Sequence, residues 1–117
     1  MLESTLRGKR DYVMITIQIA KDFSRYPAGR TTKDGPFSGE LFRKKFLEPN
    51  ITSQDQIIID LDGARGYGSS FLEEAFGGLV RAGYSKVELR NKLVIKATNK
   101  SLEAEIFDFI DSAEKSA

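Results

Sequence analysis

The sequence predicts an α/β single domain with a mixed central sheet of about four strands and three main helices. Val13, Ile15, Ile17 and Ile19 alternate with Met14, Thr16 and Gln18, the period of two of a strand with one buried face and one that is wet or covered later. Residues 56–61, by contrast, form a continuous apolar run of strand length centred on Ile57, Ile58 and Ile59, as in a central strand covered on both faces. Helical periodicity follows both strands. At 117 residues the chain is one domain by length, and it buries about two thirds of its unfolded surface without metals or disulfides.

Taken in order, residues 24–36 are dense in turn formers and lack apolar periodicity, so they form a long loop. Ser38 caps a helix over residues 40–47, with Leu41, Phe42, Phe46 and Leu47 on one stripe, Arg43, Lys44 and Lys45 facing out, and Pro49 stopping it. After the central strand, a helix over about residues 70–82 puts Phe71, Leu72, Ala75, Phe76, Leu79 and Val80 on one face. Glu73 and Glu74 lie near its positive N-terminal end. Gly77 and Gly78 interrupt it at roughly 1 kcal/mol each, which points to a close backbone approach, most often to the domain's own sheet. Gly83 ends it. Residues 86–90 and 93–97 read as a hairpin joined by Asn91-Lys92, and Ser101 caps a last helix carrying Leu102, Ile106, Phe107, Ile110 and Ala113. Helices on both faces of the sheet complete the expected architecture, which occupies residues 12–115 behind an N-terminal tail of residues 1–11.

The chain has no cysteine and no histidine, which excludes thiolate nucleophiles, Cys/His zinc sites, imidazole bases and every Ser-His-Asp arrangement. Arg7, Lys9 and Arg10 are not followed by an apolar segment before Asp11, so neither a signal peptide nor a spanning helix is expected, and the chain reads as cytoplasmic. Charge is uneven along it. Residues 21–45 carry seven basic and three acidic side chains, whereas from Ser101 onward Glu103, Glu105, Asp108, Asp111 and Glu114 face only Lys115. Such runs are either solvated faces or a basic surface for an acidic partner or phosphate.

The stretch from Ile57 to Leu72 concentrates the chemistry, because an apolar strand ends in acid and glycine and then delivers Ser69 and Ser70 to a helix start. Either serine caps the helix, or it presents a hydroxyl to a kinase or partner. Asp60 and Asp62, alternate residues on one strand, read as turn-forming caps before they read as a metal or acid–base pair. Arg30, in its Gly-rich loop beside Thr31 and Thr32, is suited to an anion but lacks a P-loop ending, and Gly66-Tyr67-Gly68 is only a fragment of a dinucleotide fingerprint. Tyr26, Phe37 and Tyr67 either pack the loops onto the sheet edges, or stack on bases or anchor a protein partner.

The segment IIIDLDGARGYGSSFLEEAFGGL resembles the STAS superfamily of sulfate-transporter and anti-sigma-factor-antagonist domains, in which an apolar strand ending in Asp leads through a Gly turn to hydroxyl residues at a helix start. Ser69 falls where that family carries its phosphorylatable residue; Gly68 stands in place of the family's Asp, and Phe71 in place of its Gly. More closely, Gly29-Arg30, Ser38-Gly39-Glu40-Leu41-Phe42-Arg43 and Ser69-Ser70-Phe71-Leu72-Glu73-Glu74-Ala75-Phe76-Gly77 are similar to a bacterial STAS-like family of unknown function, over about Val13 to Gly83. The resemblance implies a non-catalytic signalling and protein-interaction module whose partner is a histidine-kinase-like ATPase, regulated at Ser69 or Ser70. It implies contacts through Gly29, Arg30, Arg43, Gly68, Phe71, Glu73 and Glu74, and no cofactor or metal. The alternative is an anion-, nucleotide- or nucleic-acid-binding module using a basic face of Arg25, Arg30, Lys33, Arg43, Lys44 and Lys45, whose binding would fall steeply with salt.

Overall fold

The computed structural model describes residues 12–116, so the tail assigned to residues 1–11 lies outside the described residues. Strand β1 (Met14–Gln18) passes through one wide helical turn (Ile19–Phe23) into the loop of residues 24–38. Helix α1 (residues 39–51), strand β2 (Gln56–Asp60), helix α2 (residues 69–81), helix α3 (Lys86–Lys92), strand β3 (Leu93–Lys96) and helix α4 (Ser101–Ser112) follow. The three strands form one sheet in the order β1-β2-β3, all parallel, with Ile17 opposite Ile59 and Ile59 opposite Ile95.

Both strands predicted most directly are present, and the three long helices are those expected. The hairpin is not. Residues 86–92 are helix α3, so among the described residues the sheet has three strands rather than four and is parallel rather than mixed. Ser85 accepts from the Glu88 N–H at 3.0 Å, and this Ser-x-x-Glu start outweighs the alternation of Val87 and Leu89. Val87 is left exposed and Leu89 is buried.

Burial separates the two faces of the sheet. Ile17, Ile57, Ile59, Leu93 and Ile95 point into a core shared with Phe42, Leu47, Phe71, Phe76, Leu79, Ile106 and Ile110 from the long helices. On the other face Met14, Thr16, Gln18, Val94 and Lys96 are exposed and Ile58 is half-buried, so helices cover one face among the described residues, not two. Ile58 therefore belongs to the apolar run without belonging to the core.

Two helices open into π-type turns. In α1 the wide turn Arg43–Leu47 closes with the Glu48 N–H donating to the Arg43 carbonyl, and the helix resumes over Glu48–Ile51. Pro49 thus sits in a first turn, where a missing donor is tolerated, and does not stop the helix. In α2 the wide turn is Glu73–Gly77. Tyr84 donates to the Leu79 carbonyl and Gly83 to the Val80 carbonyl, ending α2 in a Schellman motif as expected.

Candidate functional site

Loops 24–38 and 61–68 both leave the carboxyl end of the parallel sheet, the edge at which open α/β sheets place their sites. The Arg65 N–H donates to the Arg25 carbonyl at 2.8 Å and joins the two loops. The longer loop also finishes helix α1. Gly39 and Glu40 donate to the carbonyls of Gly29 and Arg30, both at 3.0 Å, and Leu41 donates to the Ser38 hydroxyl at 3.2 Å. Donors that a helix start would leave unpaired are thereby bound, and the loop is pinned along its length. Asp34 accepts from the N–H groups of Arg30 and Thr31, which needs Gly29 at φ 90°; a Cβ there would lie 2.7 Å from the Asp34 Cβ.

Ser69 and Ser70 begin α2, but neither is its cap. Gly68, extended at φ −73° and ψ 153°, is the N-cap residue, and no side chain caps the helix. Both serines are exposed, and neither hydroxyl has a partner among the described residues. Immediately behind them the chain turns inward: Phe71 and Leu72 are fully buried, so Phe71 is a core residue and not a contact surface. Gly39 packs so closely on the Phe71 carbonyl oxygen that no side chain fits between α1 and α2 there.

One turn on, Glu73 and Glu74 are ringed by three guanidinium groups. Arg30 reaches across from the loop to Glu73 at 2.5 Å and Glu74 at 3.5 Å. Arg81 pairs with Glu73 at 2.6 Å and Glu74 at 3.4 Å. Arg43 donates to the Glu74 carboxylate at 2.8 Å, the Glu74 carbonyl at 3.2 Å and the Glu48 carboxylate at 2.5 Å. The two wide turns face each other here, and Arg43 lies against Gly78, where a Cβ would strike its side chain. The paired glycines of α2 therefore approach this network and α4, not the sheet: a Cβ on Gly77 would meet the Glu73 carboxylate and the Phe109 carbonyl.

Of the residues expected to bind a partner, Arg30, Arg43, Glu73 and Glu74 are brought together by ion pairs among themselves, while the Gly29 carbonyl is taken by the Gly39 N–H. Arg43 points inward at 8% exposure, contrary to its expected outward position, and Lys44 pairs with Glu40 at 3.1 Å. Arg30, Arg43 and Lys44 thus do not form a free cationic face. Arg81 was not singled out by the sequence reading, although it lies eight and seven residues after Glu73 and Glu74, a spacing that returns to the same helix face.

Hydrogen bonds from Arg81, and then from Arg30, hold the Glu73 carboxyl below the usual range despite partial burial. Backbone N–H groups do the same for Asp34 and Glu40, and Thr98 does so for Asp62. A carboxylate depressed in the folded state stabilises it above its unfolded pKa and stops doing so as pH falls through the folded value. Unfolding midpoints are therefore expected to stay level above about pH 5 and to fall below about pH 4.5, with Glu73→Gln less stable at neutrality and less sensitive to acid. Urea titrations between neutral and acid pH measure this. A midpoint unchanged by acid would contradict the bonding described.

The neighbouring cleft, about 510 Å³ at the ends of β2 and β3, has polar groups that are already engaged. Asp62 accepts from the Thr98 N–H and hydroxyl, both at 2.9 Å, the Tyr67 hydroxyl donates to the Leu61 carbonyl at 2.7 Å, and Ser101 donates to Asn99 at 2.7 Å. Burial pushes the Tyr67 hydroxyl further from ionisation. Asp60 accepts from the Asp62 N–H at 3.0 Å, which makes the acidic pair a strand-end turn. Among the described residues no group of three or more acidic side chains converges as a metal site. No helix among them is long and apolar enough to cross a membrane.

The sequence model of a family described as a STAS-like domain of unknown function (DUF4325) matches residues 38–103, more than half of the chain. The matched span begins at the Ser38 cap and includes α3 and β3, leaving β1 and the Gly29-Arg30 loop outside; the resemblance had been expected over Val13 to Gly83. No curated protein and no solved structure matches the chain.

Proposed function

The chain belongs to the STAS-like family of unknown function, and from that premise we propose that it is a non-catalytic protein-interaction module that docks a partner at the Ser69-Ser70 helix start and the loop packed beside it. The observation that carries this reading is the pair of exposed serine hydroxyls that have no bonding partner among the described residues. The partner proposed is a histidine-kinase-like ATPase, by resemblance to the partner-switching members of the wider superfamily, and Ser69 is the regulated position. A phosphate there would add about −1.5 to −2 charge at a helix N-terminus, where backbone donors favour it. Glu73 and Glu74 would oppose it weakly, because three arginines already neutralise them.

Two measurements separate a regulated hydroxyl from a structural one. Ser69→Ala is expected to change stability by no more than about 0.5 kcal/mol, as at a surface site, whereas loss of a capping side chain would cost about 1 kcal/mol. Affinity capture from the native cell, followed by intact-mass analysis, is expected to bring down the ATPase and to show whether the chain carries phosphate. Ser69→Asp should then weaken that complex. Equal affinity of Ser69→Asp, Ser69→Ala and the unmodified chain would remove the switch.

A further inference from the structure

The charged side chains of the carboxyl-end surface differ in how they are partnered, which the net charge of +1 does not show. Its carboxylates are occupied from within. Asp22 binds the Gln18 N–H at 2.8 Å, Asp34 binds Arg30 and Thr31, Glu40 binds Thr32 and Lys44, and Glu73 and Glu74 are held by arginines. Arg25 and Arg65 are exposed and have no ion pair among the described residues, and the bond between their backbones sets them side by side. Next to them Tyr26 is 62% exposed and Phe37 39% exposed.

These aromatic residues are held in place. The Tyr26 N–H donates to the Ser24 hydroxyl at 2.9 Å, and Ala28 donates to the Phe37 carbonyl at 3.0 Å. The Phe37 ring packs edge-on against Phe23 at 5.6 Å, and Phe23 in turn contacts Phe71, two residues past Ser69. Two guanidinium groups with no ion pair among the described residues, one packed aromatic ring and one tyrosine whose backbone is pinned therefore share one end of the sheet with Ser69 and Ser70. Tyrosine and arginine are the side chains that carry most binding energy at protein interfaces, and a pre-formed surface loses little entropy on docking.

We infer that Arg25, Arg65, Tyr26 and Phe37 form the docking surface for an acidic segment of a protein partner, one that carries an apolar side chain between its carboxylates. The inference rests on the proposed interaction function and adds the chemistry of the partner's segment. A protein occupant is favoured over nucleic acid because Arg30, Arg43 and Lys44, half of the basic face expected from the sequence, are already paired with carboxylates, which breaks up the continuous cationic track that a phosphate backbone would follow.

The test is an NMR titration of the labelled full chain with a synthetic peptide of Asp and Glu residues around a central Phe, run beside a single-stranded oligonucleotide of equal charge. The expected result is a set of peptide-induced shifts confined to Arg25, Tyr26, Phe37, Arg65 and their neighbours. These should weaken roughly tenfold in Arg25→Glu/Arg65→Glu and diminish with added salt. Stronger shifts from the oligonucleotide, or none from the peptide, would overturn the inference. The same double variant tells this surface apart from the Ser69 reading in partner capture. Retained capture by Arg25→Glu/Arg65→Glu alongside loss in Ser69→Asp sinks the docking surface alone; the reverse pattern supports the surface and sinks the switch.

Discussion

Arg43→Met is expected to destabilise the domain by about 3–5 kcal/mol, the cost of leaving a buried ionic partner uncompensated. The side chain of Arg43 is 10% exposed and those of its partners Glu74 and Glu48 are 15% and 27% exposed. Its removal strips both carboxylates of their shortest ion pair. Glu74 would retain only the longer contacts to Arg30 and Arg81. A lower urea midpoint at unchanged slope measures the loss, and adding Glu74→Leu should recover part of it, because it removes the less exposed of the two carboxylates left without Arg43, while Glu48 remains. A loss below about 1 kcal/mol would place this network with ordinary surface ion pairs. Arg43 is accordingly a poor probe of partner binding: loss of binding in its variants would follow loss of fold. Arg25 and Arg65 are better probes because they are exposed and make no ion pair among the described residues.

The elements legible in the sequence are those whose local signals agree with one another. Ser38 precedes an apolar stripe and caps α1; the run Ile57-Ile58-Ile59 is the middle strand; Gly83 follows the last buried turn of α2 and terminates it. The failures share a cause in competing short-range signals. Val87 and Leu89 alternate like a strand, but Ser85 and Glu88 supply a helix start, and seven residues were enough for the cap to decide. Pro49 signals a helix end in a regular α-helix, but a π-type turn ahead of it removes the need for its donor. Ile58 extends an apolar run while staying only half-buried, because a run of three isoleucines cannot report how many faces of a sheet are packed.

The site was legible in its parts and not in its wiring. Ser69, Ser70 and Arg30 could be singled out one at a time, since each is a chemistry-bearing residue among turn formers. That Arg30 spends its charge on Glu73 depends on a contact 43 residues apart in sequence, which no local pattern encodes. Arg25 and Arg65 become a pair only through a backbone bond between two loops. Periodicity orders residues along one element; it does not show which charges remain unpaired once elements meet.

Phe71→Ala is expected to cost about 3–5 kcal/mol, as for a large aromatic truncated in a closed core. Its ring lies 6.0 Å from Phe42 and from Tyr67 and 6.3 Å from Phe23, so it joins the 61–68 loop and the turn that leads into the 24–38 loop to α1. Truncation should therefore loosen residues 24–38 and 61–68 before the sheet, seen as faster amide exchange there at a given denaturant concentration. Phe71→Leu, which keeps more of the volume, should cost much less. The burial of Phe71 has a consequence at the helix start: the ring anchors the chain one and two residues past Ser70 and Ser69, which stay exposed. If Phe71→Ala instead kept full stability and lost only partner binding, the side chain would have to reach the surface, which its burial contradicts.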